Sequence, residues 1–142
     1  MRRGRVDAVT TTLEYALLYV SRGWPVLPVF GVHNDGACRC GRADCSSPGK
    51  HPLARLVPHG LKDATIDADT IRSWWYQEPE ANVAIATGGG LAVIDVDAED
   101  GFEELEARFG DFPPTLESTT GSGGRHLLYA TEGKLRSKNG FH

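Results

Sequence analysis

The stretch that most constrains this chain is an apolar run that ends in two acids, Leu91-Ala-Val-Ile-Asp-Val-Asp97. A short apolar run of this kind is typical of a buried β-strand. Because side chains alternate along a strand, Asp95 and Asp97 are predicted to share one face, with their Cα atoms roughly 7 Å apart. Two neighbouring carboxylates repel each other, and a divalent cation removes that penalty. The pair therefore indicates either a cation site or the solvated end of a strand.

A second constraint is a cluster of cysteines within a segment rich in turn residues. Three cysteines lie within eight residues, which argues against a disulfide framework and for a reducing compartment. Zinc in proteins takes about four nitrogen or sulfur ligands in a tetrahedral arrangement. The predicted zinc ligands are Cys38, Cys40, Cys45 and His51, with His33 as a substitute. The spacing is not the common paired C-x-x-C, so free cysteines in a surface loop are the alternative.

Length and periodicity predict one domain over residues 1–142, long enough to bury a core, with residues 31–62 as a loop insertion. Residues 1–9 are expected to be frayed. Predicted helices begin near Thr12, at Asp67 or Asp69, and at Asp100. Trp74 and Trp75 of the second helix are expected to be core residues, and the third helix is expected to turn Phe102, Leu105 and Phe109 inward. Predicted strands cover residues 24–30, 82–86, 91–97, 116–120 and 126–129. The strands at 82–86 and 91–97 are expected to form a hairpin through the glycines at 88–90.

Charge is distributed unevenly along a chain whose net charge is only -4. Residues 95–117 carry nine acids and one base, whereas residues 37–62 carry one acid and the five bases Arg39, Arg42, Lys50, Arg55 and Lys62. This pattern suits a metal site surrounded by a polyanion-binding surface, or an ordinary patchy surface. The chain shows no targeting signal and no apolar run that could span a membrane, so we expect a cytoplasmic protein with no membrane partner.

A glycine loop precedes the last predicted strand in Thr119-Thr-Gly-Ser-Gly-Gly-Arg-His126. Backbone amides of glycine-rich turns can cradle an anion, and His126 follows Arg125 directly after this turn. We therefore favour a phosphate-binding role for His126 over a purely structural one. Lys50, within Pro48-Gly-Lys-His-Pro52, is either a phosphate ligand or a solvated side chain.

Taken together and in order, these motifs resemble the N-terminal domain of bifunctional DNA primase/polymerases, the Prim-Pol branch of the archaeo-eukaryotic primase superfamily. The resemblance rests on the segments 48–52, 93–97 and 120–126, and it covers roughly residues 12–130. It implies an α+β fold, with an RRM-like primase catalytic core, a mainly antiparallel sheet, flanking helices and a cysteine-rich loop that holds zinc in some members.

The resemblance also implies roles for individual residues. Asp95 and Asp97 match the aspartates that bind Mg²⁺ or Mn²⁺, and His126 matches the histidine that contacts the incoming triphosphate. The nucleotide-binding set is Ser122, Gly124, Arg125, His126 and Lys50. The cysteine cluster matches the zinc-binding excursion.

The function expected from the resemblance is template-directed nucleotidyl transfer by a two-metal mechanism, in the replication of a mobile or phage-like element. Its partners would be nucleoside triphosphates, a single-stranded DNA template and primer, and a helicase domain or protein. One departure leaves enzymatic activity open: the family's third metal carboxylate lies on a strand after the histidine motif, and this chain ends at residues 139–142. We expect a trimmed fragment or a natural short form.

Two other functions stay open at this point. One is a non-catalytic nucleotide- or DNA-binding module with a structural zinc loop. The other is a different metal-dependent nucleotide or sugar-nucleotide enzyme that shares the Asp-x-Asp pattern.

Overall fold

The computed structural model describes residues 10–97 and 99–137. The predicted frayed segment 1–9 and the chain end at 139–142 lie outside these residues. The fold is α+β, and all of the strand pairs within the described ranges are antiparallel. The chain divides into two compact units, Met1–Ala86 and Thr87–His142.

The first unit packs two helices onto a two-stranded sheet. Its elements are α1 (Thr12–Ser21), β1 (Val26–Val29), a 3-10 helix (Gly60–Asp63), α2 (Ala68–Gln77) and β2 (Asn82–Ile85). Strands β1 and β2 pair in antiparallel register, from Val26 opposite Ile85 to Val29 opposite Asn82. The predicted insertion contributes the 3-10 helix and single bridges, such as Val29 to Pro52, rather than a further strand.

Capping side chains decide where both helices of this unit begin. Thr11 caps α1 through a capping box with Glu14, one residue before the predicted cap at Thr12. The Thr11 hydroxyl and the Glu14 carboxylate each accept a hydrogen bond from a backbone N–H that has no partner within the first turn. Asp67 caps α2, as predicted, and its carboxylate accepts from the Thr70 backbone N–H at 2.9 Å.

Replacing Asp67 by alanine is expected to destabilise the protein by about 1 kcal/mol at neutral pH. Hydrogen bonds from the Thr70 hydroxyl and backbone lower the pKa of the Asp67 carboxyl. Its stabilising contribution is therefore present above the ordinary aspartate pKa of about 3.9 and is lost as the pH falls through the lowered folded value. Urea denaturation at several pH values measures this. Asp69→Ala, in the first turn but outside the cap, is the control, and an equal loss in both variants would refute the capping role.

The core of the first unit lies between the helices and the sheet. Ala16, Val26 and Ile71 are fully buried, and Trp74 and Trp75 are also buried, which confirms the prediction that these tryptophans are core residues. The Trp75 indole N–H donates to the Ala81 carbonyl at 3.1 Å. A buried indole needs such a partner, so this contact also fixes the approach to β2.

The second unit is a three-stranded sheet with one helix. Its elements are β3 (Gly89–Val96), α3 (Glu99–Phe109), β4 (Leu116–Thr119) and β5 (Arg125–Lys134), and the strand order is β3-β5-β4. The predicted hairpin between the strands at 82–86 and 91–97 is wrong, because β2 pairs with β1 and β3 pairs with β5. Gly88 and Gly90 have φ values of 110° and 106°, a backbone region that favours glycine.

Helix α3 covers one face of this sheet. A Cβ at Gly101 would lie 3.5 Å from the Val96 side chain, and the Phe102 ring lies 5.9 Å from that of Phe112. Phe109 was also predicted to point inward, but it is 57% exposed because it is the last residue of the helix. Within the described residues no helix has the length and apolarity needed to cross a bilayer.

Candidate metal and nucleotide sites

The structure brings Asp95 and His126 into contact across neighbouring strands. They are directly opposite each other in the β3–β5 register, and His126 Nε2 lies 3.2 Å from Asp95 Oδ1. The Asp95 side chain is 58% exposed and the His126 side chain is 41% exposed, so a ligand could reach both. Because side chains alternate, they lie on the face opposite Val96, which packs against α3.

Asp97 directly follows the last residue of β3 and is exposed. Two-residue spacing assigns it to the same side as Asp95. Among the described residues, however, Asp95, Asp97 and His126 are not drawn together into a three-ligand cluster. Asp95 and Asp97 are therefore two exposed carboxylates at the end of β3.

The glycine loop connects β4 to β5 beside the end of β3. Its Thr120 N–H donates to the Gly124 carbonyl at 2.8 Å, and the Gly124 N–H donates to the Thr120 hydroxyl at 2.9 Å. The Gly123 N–H donates to the Thr120 carbonyl at 3.0 Å. These three amides are therefore already used within the loop, and an anion would meet the amides at Gly121 and Ser122.

Gly124 allows the loop to approach the acid-bearing strand. A Cβ at this position would lie 2.6 Å from the Val96 carbonyl oxygen and 3.4 Å from the Asp97 Cα. Glycine is therefore needed for a close backbone approach rather than for an unusual φ. The contact holds the loop next to Asp97.

Gly124→Ala is expected to destabilise the protein by about 1–3 kcal/mol, because the added methyl group displaces the end of β3. Thermal and chemical denaturation measure this effect. Gly121→Ala in the same loop is the matched control, since a Cβ there meets nothing within 4 Å. Equal stability of the two variants would show that the close approach does not matter.

Arg125 lies on the other face of the sheet from His126, as strand alternation requires. Its guanidinium donates to both carboxylate oxygens of Glu117, at 2.7 and 2.8 Å, and lies 4.3 Å from the centre of the Phe102 ring. These contacts join β4, β5 and α3. The prediction that Arg125 binds nucleotide gains no support from this geometry.

The two other predicted nucleotide ligands have different surroundings. The Ser122 hydroxyl lies 3.3 Å from the Thr120 hydroxyl at the exposed tip of the loop. Lys50 is exposed and belongs to the first unit, next to His51. Its role stays a prediction.

Ser118 is a residue that the sequence analysis missed. It lies directly opposite His126 in the β4–β5 register, so Ser118, His126 and Asp95 form a polar row on one face of three adjacent strands. The sequence could have indicated Ser118 through the five-residue loop at 120–124. If the strands pair outward from that loop, Thr119 lies opposite Arg125 and Ser118 lies opposite His126.

The first unit contains a separate candidate metal centre. The ligand atoms of Cys38, Cys40, Cys45 and His51 all lie within 4.8 Å of one another. His51 Nε2 is 3.4 Å from Cys38 Sγ and 3.6 Å from Cys45 Sγ. Tetrahedral zinc with ordinary bond lengths holds a sulfur and a nitrogen ligand about 3.6 Å apart. These four residues therefore fit zinc, and the group formed by the structure does not include His33.

The electrostatics of this cluster favour a cation. Burial alone would raise the pKa of the Cys38 thiol, but hydrogen bonds from the backbone at Gly49 and Cys40 and from the Cys40 and His51 side chains lower it to about 6. At Cys45 a backbone hydrogen bond from Ser47 lowers the pKa, but burial and the neighbouring Cys40 and Cys38 outweigh it and raise the value. Without a cation, ionisation of one thiol therefore disfavours ionisation of its neighbour. A bound metal would displace the protons of these thiols.

Contacts with β1 and β2 hold the cysteine segment in place. The Phe30 and His51 rings lie 4.6 Å apart, and the Phe30 N–H donates to the His51 carbonyl at 2.9 Å. The Asn82 side-chain amide donates to the Gly49 carbonyl at 3.2 Å. His51 is thus both a candidate ligand and part of the connection to the sheet.

The basic residues around this centre are largely neutralised. Arg39 pairs with Glu80 at 3.3 Å and Arg42 pairs with Asp44 at 3.2 Å. Arg55 forms an ion pair with Glu78. The cluster of bases predicted as a polyanion-binding surface is therefore a set of ion pairs at these three arginines.

The protein has an α+β fold, with Asp95 and His126 in contact on one sheet and a Cys₃His group in a loop that could hold a metal ion. A model of the family described as bifunctional DNA primase/polymerase, N-terminal, matches residues 16–141, and the chain belongs to this family. The resemblance expected from the sequence is thereby confirmed. No curated protein and no solved structure matches the chain.

Proposed function

We propose that this protein is a template-directed DNA primase/polymerase domain that transfers nucleotides from nucleoside triphosphates. The observation that carries the proposal is the contact of His126 with Asp95 on the open face of a sheet, in a chain of this family. The combination offers anionic groups for cations beside a donor for phosphate. Both units would belong to one catalytic domain, and the second would contribute to an RRM-like core.

Asp95 and Asp97 would hold Mg²⁺ or Mn²⁺. Magnesium in such sites is bound by one or two carboxylates together with substrate phosphates, so an open carboxylate pair fits its needs. When bound, two divalent cations activate the primer 3′-hydroxyl and stabilise the charge of the triphosphate. The open pair favours binding of the metals together with the nucleotide.

His126 would orient the triphosphate. Its imidazole lies 3.2 Å from Asp95, a contact that limits its rotation, and Ser118 is the residue opposite it on β4. A positioned N–H donor stabilises charge that develops on a phosphate oxygen. The Ser122 hydroxyl and the loop amides at Gly121 and Ser122 would add uncharged donors.

The Cys₃His centre would be a structural zinc site. Four protein ligands leave no open position for a substrate, which distinguishes a structural from a catalytic zinc. The bound zinc would fix the segment 31–57 against β1 and β2. A helicase partner and a role in replicating a mobile element remain predictions from the resemblance.

The direct test is primer extension on defined homopolymer templates with Mg²⁺ or Mn²⁺. We expect incorporation of the complementary nucleotide alone, and only when a template is present. Turnover of nucleotide without a template would identify a different nucleotide enzyme and overturn the proposal.

A non-catalytic DNA-binding module is the second candidate. It is favoured by one observation: within the described ranges, Asp95 and Asp97 are not part of a preassembled three-ligand cluster. This candidate predicts DNA binding without incorporation. It also predicts that binding is unchanged when both aspartates are replaced.

A further inference from the structure

An aromatic row runs along the outside of α1 and onto the turn that follows it. The ring centres of Tyr15 and Tyr19 are 6.3 Å apart in a stacked arrangement, and those of Tyr19 and Trp24 are 6.2 Å apart. The Arg22 guanidinium lies 5.5 Å from the centre of the Trp24 ring. We name these four residues the aromatic ladder.

The local backbone builds the ladder. Tyr15 and Tyr19 are four residues apart and share a helix face. Gly23, with φ 81°, then reverses the chain, and the Trp24 N–H donates to the Tyr19 carbonyl at 3.2 Å. This hydrogen bond keeps Trp24 next to α1, with its indole beside the Tyr19 ring.

The ladder stays accessible. Tyr15 is 45% exposed, and Tyr19 and Trp24 are half-buried, whereas Ala16 on the inner side of the same helix is fully buried. Tyr19 also packs against the core of this unit and is tilted against Trp24, whereas Tyr15 extends the row to the exposed side of the helix. Scattered single apolar residues on a surface need no explanation, but a contiguous set marks an interaction site.

One end of the ladder carries a cation. Within the part of the chain that the structure describes, the Arg22 guanidinium contacts the indole and forms no ion pair with a carboxylate. The only acid of α1, Glu14, turns away to accept from the Thr11 N–H at 2.6 Å. The partner that this surface suits is therefore anionic and planar.

We propose that the aromatic ladder is a stacking platform for single-stranded DNA, with Arg22 contacting a phosphate. Single-strand binders combine aromatic side chains, on which bases of any sequence stack, with cationic groups that follow the backbone. The choice of DNA as the polyanion rests on the proposed function. The platform is distinct from the Asp95–His126 group, which lies in the other unit.

Fluorescence anisotropy with a labelled oligo-dT strand, without nucleotide or divalent metal, tests the platform. Tyr15→Ala and Tyr15→Leu are expected to weaken binding about 5- to 150-fold, the range for one lost base stack, while Tyr15→Phe keeps it. Tyr76→Ala, a tyrosine 88% exposed on α2, is the matched control and should bind like wild type. The leucine variant excludes a loss of helix stability as the cause.

Binding by Tyr15→Leu equal to wild type, or an equal loss in Tyr76→Ala, would overturn the proposal. So would an equal loss of duplex binding, because paired bases offer no free face for stacking. If the wild type shows the expected binding pattern but no primer extension, the proposed polymerase activity fails and the platform stands.

Discussion

Asp95→Asn/Asp97→Asn is expected to lower the rate of template-directed incorporation by at least about 10²–10³-fold, the effect of removing a group that stabilises transition-state charge. Asparagine keeps the size of each side chain and removes its negative charge, so a divalent cation loses its protein ligands. Both side chains are exposed, and the fold should persist. Single-nucleotide extension under saturating Mn²⁺ measures the rate.

Asp111→Asn is the matched control, because Asp111 is another exposed acid of the second unit and does not belong to the polar row. It should leave the rate unchanged. If the double variant extends primers as fast as wild type, the carboxylate pair is not the metal site. The same result would remove the argument for His126 as its partner.

Removing the metal from the Cys₃His centre is expected to lower the free energy of unfolding by about 4 kcal/mol or more, the range associated with losing a structural metal. The segment between β1 and the 3-10 helix has little regular structure of its own, so a metal on the four ligands would add to the contacts that hold it against the sheet. Cys45→Ser should have the same effect as a chelator. Thermal unfolding and the zinc content per chain measure both.

The pH dependence of this centre has a definite sign. Zinc binds thiolates, so protons compete with the metal at each thiol whose pKa lies above the pH. Cys45, whose pKa is raised, is protonated throughout the neutral pH range, and Cys38 begins to take up a proton as the pH approaches its pKa of about 6. Zinc affinity should therefore decrease between pH 8 and pH 6, and loading should release protons. His33→Ala is the control and should retain zinc and stability. An unfolding temperature unaffected by chelation would contradict a structural metal.

Local patterns could be predicted from the sequence because their causes are local. The cap at Asp67 and the buried pair Trp74 and Trp75 follow from helix periodicity alone. The grouping of His51 with the three cysteines was predictable because these residues are close in sequence. In each case the residues that decide the structure lie within about a dozen positions of one another.

Pairing between distant segments could not be predicted from the sequence. The expected hairpin between β2 and β3 failed because β3 finds a longer partner in β5, which comes some thirty residues later in the chain. Which face Arg125 occupies also depends on the β4–β5 register, and a shift of one residue would reverse it. Ion pairs such as Arg39–Glu80 join residues that no local pattern connects.

The most direct test of the central hypothesis is a titration of Mn²⁺, followed by electron paramagnetic resonance, with a non-hydrolysable nucleoside triphosphate present. Wild type should bind two ions per chain beyond those held by the nucleotide in buffer, and Asp95→Asn/Asp97→Asn should lose them while its zinc content stays the same. Identical Mn²⁺ binding by the two proteins would contradict a metal–nucleotide site at these aspartates.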